Sequence, residues 1–434
     1  MTDRRDDHIE PDATAGRARA RRELSRGLRL TIWTVVAALV LAAGTAVALA
    51  LLPKRAAGDA ARPTATSAPK PSPTPSADPA PAAPEPVHMI AMGDMLPHDA
   101  VNAAAALPGG GADYTQFFSG ISAQLDAADV TFCNQEVPSA GAEFGISGYP
   151  TFNAPTKFAR DLREGVGCDL VNTATNHAAD LGTAGIAATR AVWDGLGPAI
   201  VAGANRSAAE QRDVRVFEAD GVRIALVAFA EYSNAPIDGV SLSMMSDTAL
   251  VTELVTNARE LADVVVVSAH WGTEDSHDVN DAQRAFAQQV ADLGADVVLG
   301  TGPHVLQPVT WLDRADGGRT LVWYSLGNML NTQLQLDQRT GVIAGFDLVR
   351  DSADGPVRVE RPSAILTYMH YDWSAEQEAA GDLMARTNLS ITPLASADPL
   401  LERTRFGTTA AAQLAASQAI LGPEVEILEP AAAG

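Results

Sequence analysis

The chain begins with a polar, arginine-rich stretch, enters one unbroken apolar run from Leu30 to Leu52, and then crosses a proline-dense segment. Only from Val87 onward do apolar and polar positions alternate with short periods. Compact apolar, β-branched runs predict strands at Val87–Met92, Val130–Cys133, Asp169–Thr173, Arg223–Phe229, Val264–Ser268, Val297–Leu299 and Leu321–Tyr324. Between them, Tyr114–Ala127, Thr183–Leu196, Leu250–Leu261 and Ala282–Leu293 carry the 3.6-residue apolar period of helices laid on a sheet. Strands interleaved with amphipathic helices predict a layered α/β (α+β) domain over residues 87–375. Residues 376–434 are rich in alanine with weak strand signals, and read as a helical appendage or a poorly ordered tail.

The 23 residues from Leu30 to Leu52 carry no charge. At about 1.5 Å per residue such a helix crosses the roughly 30 Å hydrocarbon core of a bilayer. Arg17, Arg19, Arg21, Arg22, Arg26 and Arg29 precede it, against Lys54 and Arg55 after it. This bias predicts residues 1–29 in the cytoplasm and the main body outside, on the cell-surface side. Ala48-Leu49-Ala50 would also suit a cleaved signal peptide, but secretory apolar regions are shorter, typically about 7–15 residues. The reading adopted is a single-pass signal anchor at 30–52 in the cell membrane. Residues 53–86 hold ten prolines among Ala, Ser and Thr, a stalk that cannot bury a core.

Charge sharpens the picture. The net charge is −22, and residues 56–434 carry 21 Lys/Arg against 47 Asp/Glu. A body this acidic, without a basic stripe, repels phosphate backbones, so nucleic acid is not expected as a partner. An anionic polymer would need a bound cation or a local pocket. The two cysteines, Cys133 and Cys168, lie in apolar runs and read as buried thiols, with a disulfide the alternative in an exported protein.

Several predicted strands end in polar, metal-capable residues, where open α/β sheets place their ligands. Asp94 and His98 follow the first strand, and Asn134 and Glu136 the second. Asn176 and His177 follow the third; His270 and Glu274, then His304, then Asn328 follow later ones. Each taken alone suits a turn, a cap or a satisfied polar residue. Together they form the oxygen and nitrogen donor set that holds Zn, Mn or Fe with water. Two such cations would need a bridging carboxylate, and would clamp the attacking and leaving oxygens of a phosphoryl centre. A neighbouring histidine could protonate the leaving group. Rival schemes lack their motifs: there is no Gly-x-Ser-x-Gly elbow, and Gly109-Gly110-Gly111 lacks the Lys-Ser/Thr of a phosphate-binding loop.

In order, the blocks Gly93-Asp94-Met95-Leu96, Asn134-Gln135-Glu136, Asn176-His177-Ala178, His270-Trp271-Gly272-Thr273-Glu274, Pro303-His304-Val305-Leu306-Gln307-Pro308 and Tyr324-Ser325-Leu326-Gly327-Asn328 resemble the CapA/PgsA-type capsule-synthesis family. That family is linked to poly-γ-glutamate capsules and related to calcineurin-like metallophosphoesterases, and the resemblance covers about residues 88–331. It implies a four-layer α/β/β/α sandwich of the metallo-dependent phosphatase type. It further implies Asp94, Glu136, Asn176, His270 and His304 as metal ligands for one or two divalent ions (Mn, Zn, Fe or Mg), with His177 as general acid. His98, Asn134, Glu274 and Asn328 are then expected to contact substrate. Leu96 and Gly302 depart from the pattern, in which histidines are usual at those places.

The function implied is biosynthesis, export or attachment of an anionic surface polymer by a hydrolase-type site, with polymer-synthase partners. Two alternatives stay open: a non-catalytic polymer-binding component, and a general cell-surface metallophosphoesterase.

Overall fold

The computed structural model describes residues 84–197 and 199–430. The signal anchor at 30–52 and most of the stalk lie outside the described residues, and no described helix is long and apolar enough to cross a membrane.

Fifteen strands run in chain order through the described residues: β1 (Val87–Met95), β2 (Val130–Gln135), β3 (Leu170–Asn172), β4 (Ile200–Ala202), β5 (Val216–Ala219), β6 (Val222–Ala230), β7 (Val264–His270), β8 (Val297–Thr301), β9 (Leu306–Asp313), β10 (Arg319–Leu326), β11 (Asn328–Leu330), β12 (Thr340–Val349), β13 (Arg358–Asp372), β14 (Thr387–Pro393) and β15 (Glu426–Ile427). One sheet has the order β14-β13-β12-β1-β2-β3-β4, with β11 on β1 and β15 on β13; the other has β5-β6-β7-β8-β10-β9. In the first, β1 through β4 are parallel, while β12 closes on the far side of β1 antiparallel. In the second, β6, β7, β8 and β10 are parallel.

Alternation along the strands decides the layers. Met89 and Ala91 of β1 share a core with Leu226 of β6, Val266 of β7 and Leu299 of β8, so the two sheets pack face to face. Ile90 and Met92 point the other way, into a core with Phe117, Phe158 and Trp193. The outer face of the second sheet is covered by α2 (Thr248–Leu261) and α3 (Asp281–Asp292) through Leu250, Leu254, Phe286 and Val290. On the first sheet, α1 (Gly182–Asp194) contributes Trp193. Capping fixes where two of these helices begin. Asp247 accepts from the Leu250 N–H, and Asn280 and Gln283 form a reciprocal box at the start of α3.

All seven strands expected from the sequence are present, most of them longer than the apolar run that announced them. Tyr114–Ala127 differs from the single helix expected: a 3-10 turn over Thr115–Ile121 precedes a short helix at Ser122–Asp126. The segment after 376 also differs from the expected appendage. Its strand β14 pairs with β13, and its helix α4 (Ala410–Leu421) places Ala410 and Leu421 in the core between the sheets. Small side chains let that helix sit close to the sheet without an amphipathic stripe to advertise it. Cys133 and Cys168 form a disulfide, with Cα atoms 5.7 Å apart, in place of the two free thiols expected. Cys133 lies within the β2–β3 ladder opposite Val171, and Cys168 two residues before β3, so the sheet itself brings them together.

Candidate metal centre

The centre is assembled from the ends of strands of both sheets. Asp94 lies near the end of β1, where the register shifts against β2, and Glu136 follows directly on β2. Gly93 permits this: a Cβ there would fall 1.9 Å from the Gly327 carbonyl oxygen, and Asp94 N–H donates to that same oxygen. From the second sheet come His270, the last residue of β7, and His304, in the loop after β8 with φ at +63°.

Register arranges the supporting polar row. Asn172 of β3, Asn134 of β2 and Asp94 of β1 are successive cross-strand neighbours. The Asn172 amide donates to Asn134 Oδ1 at 2.6 Å, and the Asn134 amide donates to Asp94 Oδ1 at 2.7 Å. His304 Nδ1 lies 3.0 Å from both Asp94 Oδ2 and Asn328 Oδ1. His270 Nδ1 lies 3.0 Å from Thr301 Oγ1, its register partner, and its Nε2 lies 3.0 Å from Asn176 Oδ1.

Glu136 stands between the two histidines. Its Oε1 is 3.9 Å from Nε2 of His270 and of His304 alike. The residue is fully buried, and neither carboxylate oxygen has a hydrogen-bond partner among the described residues. One ligand atom each from Asp94, Glu136 and His304 lies within 4.8 Å of the others. A buried carboxylate with no donor is costly unless a cation completes it. Two carboxylates and an imidazole at this spacing therefore fit a divalent ion.

The electrostatics point the same way. Burial, and then the charge of Asp94, push the Glu136 carboxyl well above the usual range. Burial opposes protonation of His304, but Glu136 and Asp94 outweigh it and raise its pKa to about 10. Burial lowers His270 to about 4, which keeps its imidazole neutral and able to act as a ligand.

His177 lies beside this group, with Nδ1 2.8 Å from Asp180 Oδ2 and Nε2 3.4 Å from the Asn234 amide. Asp180 also accepts the Phe152 N–H, and the Phe152 ring packs edge-on against His177. His98 also packs edge-on with Phe152, and its Nδ1 accepts the Thr332 N–H. Burial, followed by the charge of His304, lowers His98 to about 3. Glu274 is exposed and accepts from the Tyr232 hydroxyl.

Of the five ligands expected, three form the cluster, while His270 and Asn176 form a hydrogen-bonded pair next to it. Asn134 and Asn328, expected to contact substrate, are engaged in hydrogen bonds within the cluster. Both are buried, with amides committed to Asp94 in one case and to Gln333 Oε1 and the Gln338 carbonyl in the other. They fix the side chains of Asp94 and His304. Missed altogether was the end of β6, where Glu231 accepts the Gly272 N–H and Asn234 faces His177. The polar Glu231-Tyr232-Ser233-Asn234 run after an apolar strand carried the same signal as the other strand ends.

Against known proteins, the model of the family described as bacterial capsule synthesis protein PGA_cap matches residues 88–333. The chain is 30% identical over 187 residues to the PGA biosynthesis protein CapA of Bacillus subtilis (strain 168), covering 42% of this chain and 45% of that protein. It is 30% identical over 174 residues to the capsule biosynthesis protein CapA of Bacillus anthracis, covering 38% and 41%. The chain thus spans less than half the length of either curated relative. Among solved structures, the 5'-nucleotidase of Candida albicans SC5314 is similar with a TM-score of 0.38 and 12% identity, over 64% of this chain and 51% of that one. GAP50, the anchor in the inner membrane complex of Plasmodium, gives 0.30 and 10%, over 79% and 97%. With more than half of its residues inside the family match, the chain belongs to the bacterial capsule synthesis protein PGA_cap family.

Proposed function

We propose that this chain acts in capsule biosynthesis, in the making, export or attachment of an anionic surface polymer of the poly-γ-glutamate kind, through a metal-dependent hydrolytic or transfer site. The observation that carries the reading is Glu136, whose two buried oxygens lack any donor beside Asp94 and His304. Asp94, Glu136 and His304 would hold the ion, with His270 and Asn176 adjoining. A bound divalent ion supplies Lewis acidity and water activation near neutral pH. Asp180 orients His177 through Nδ1, leaving Nε2 to hold or release a proton to a leaving group. Glu274 and Tyr232, at the exposed edge, would meet the substrate, together with His98.

An outward-facing, membrane-anchored location, with the N-terminus in the cytoplasm, is part of the proposal. It is supported by the apolar run at Leu30 to Leu52 and by the Cys133–Cys168 disulfide, since disulfides persist in oxidising compartments. Polymer-synthase partners belong to the same reading.

The second reading is a non-catalytic module that grips polymer. It is favoured by Leu96 and Gly302, which supply no side-chain ligand. Metal analysis of the full chain after exposure to Mn, Zn, Fe and Mg separates the two. One or two equivalents in the wild type, lost in Asp94→Ala, supports the metal site; none in either supports the module. Rapid turnover of simple phosphoesters by the loaded protein would instead mark a general surface phosphoesterase.

A further inference from the structure

A cleft of about 300 Å³ lies in the part of the chain beyond the family match, lined by Arg339, Tyr371, Trp373, Glu378, Arg405 and Phe406, none of them a residue of the metal centre. Its charge is unlike that of the protein around it, which carries −22 overall. Arg339 is 3% exposed, and Arg386, behind Tyr371 and Trp373, is 6% exposed. Neither is ion-paired with a carboxylate among the described residues. Arg339 donates to the Met369 carbonyl at 2.9 Å and to the Tyr368 hydroxyl at 2.6 Å. Arg386 donates to the Thr332 hydroxyl at 3.2 Å, and its Nε is buried with no hydrogen-bond partner among the described residues.

Aromatic rings take the place of acids. The Arg339 guanidinium lies 3.9 Å from the Tyr371 ring centre and 5.2 Å from that of Phe406. Arg386 lies 5.1 Å from Tyr371 and 4.6 Å from Trp373. Ring faces offset only part of the cost of burying a guanidinium. At the rim the arrangement is different: Arg403 pairs with Asp372, and Arg405 with Glu378 at 3.0 Å. Positive charge is therefore neutralised at the mouth and left unneutralised inside, as in a pocket completed by an anion.

We infer that this cleft is a binding site for an anion bearing carboxylate or phosphate groups, received by Arg339 and Arg405 with its carbon skeleton against Trp373 and Phe406. Arg339 and Arg405 offer the planar fork suited to either oxyanion. Arg386 adds to the positive field from behind. Burial draws the Arg386 pKa down, the direction a counter-anion would reverse. A short relay joins the cleft to the metal centre: the Tyr371 hydroxyl donates to the Gln333 carbonyl, and Asn328, beside His304, donates to Gln333 Oε1. The inference does not require that the centre be loaded.

The test is calorimetric titration of the full chain, stripped of metal on a chelating resin, at low ionic strength. The probes are α-linked hexa-L-glutamate, inorganic phosphate and, as neutral control, hexa-L-glutamine. Saturable binding of hexaglutamate alone identifies a carboxylate site, and of phosphate alone a phosphate site. Arg405→Ala should weaken binding at least about three-fold, and Glu378→Gln, which removes a competing carboxylate, should strengthen it about as much. Arg405 is exposed and Glu378 half-buried, and unchanged melting curves verify the fold. No saturable binding of either anion, equal binding of hexaglutamine, or indifference to both substitutions overturns the inference.

Discussion

The backbone N–H of Gly302 lies 3.3 and 3.2 Å from the two carboxylate oxygens of Asp94, a residue 208 positions earlier in the chain. Gly302 has φ at +104°, and a Cβ there would come 2.9 Å from the Trp271 carbonyl oxygen and 3.2 Å from His270 Nε2. In this backbone a main-chain donor stands where the family resemblance suggests a histidine. Gly302→Ala and Gly302→His should each destabilise the fold by about 1–3 kcal/mol and weaken metal binding. Denaturant titration and metal analysis check this, and a histidine variant that binds more metal at full stability would show that the backbone adapts.

Glu136→Gln separates a metal ligand from a merely buried acid. For the wild type, a divalent ion at 100 times its dissociation constant should add about 2.7 kcal/mol of stability. The variant should gain almost none. Melting curves with and without Mn or Zn read the difference directly.

His177 and Asp180 should fail in different ways. If the site is hydrolytic as proposed, His177→Ala is expected to lower turnover by the metal-loaded protein by about 10²–10⁴-fold while leaving its metal content intact. Asp180→Asn keeps a hydrogen-bonding side chain at Nδ1 but removes the charge that favours the proton there, so a smaller loss is expected. Full activity in His177→Ala would remove it from the chemistry.

His277 and Asp337 give a pH signature that involves none of the three clustered residues Asp94, Glu136 and His304. Their hydrogen bond holds His277 above its ordinary pKa and Asp337 below its own. The histidine's contribution is full below its unfolded pKa and is lost as pH rises through the raised value. The carboxylate's is full above its unfolded pKa and is lost as pH falls through the lowered value. The pair is therefore strongest between about pH 4 and 6.5. Both groups are substantially exposed, so screening limits the gain to less than about 1 kcal/mol. His277→Ala should cost more stability at pH 5.5 than at pH 8.5, as read by unfolding at both.

Removing the disulfide should be more costly. Its closed loop has a sequence separation of 35, for which chain entropy gives about 3–4 kcal/mol. Cys133→Ala/Cys168→Ala should lower the unfolding free energy by roughly that amount. A near-neutral result would mean that the unfolded chain is already restricted there.

The strands of the centre were legible because a buried strand is a short apolar run and because polar residues at its end break the pattern abruptly. Asp94, Glu136 and His304 stood out in this way. The long antiparallel pair, β12 and β13, escaped notice, since Gly341, Gly345 and Arg361 interrupt their runs. The roles of Asn134 and Asn328 were illegible for a different reason. Whether an amide faces outward or holds a ligand depends on cross-strand register, which brings Asn134 against Asp94 and Asn328 beside it. The disulfide was equally a matter of register, since the β2–β3 pairing is what makes neighbours of two cysteines far apart in sequence.

β1 has β2 on one side and β12 on the other, and β12 begins at Thr340, roughly 245 residues after β1 ends. A ribosome adds about 5–20 residues per second, so one flank of β1 stays unpaired for roughly 10–50 s of synthesis. Throughout that interval a strand composed almost wholly of buried residues presents an open hydrogen-bonding edge. The nascent chain is therefore most vulnerable to pairing with another copy of itself before its last quarter exists. Truncations that remove β12 should collect as aggregates rather than as smaller folded proteins.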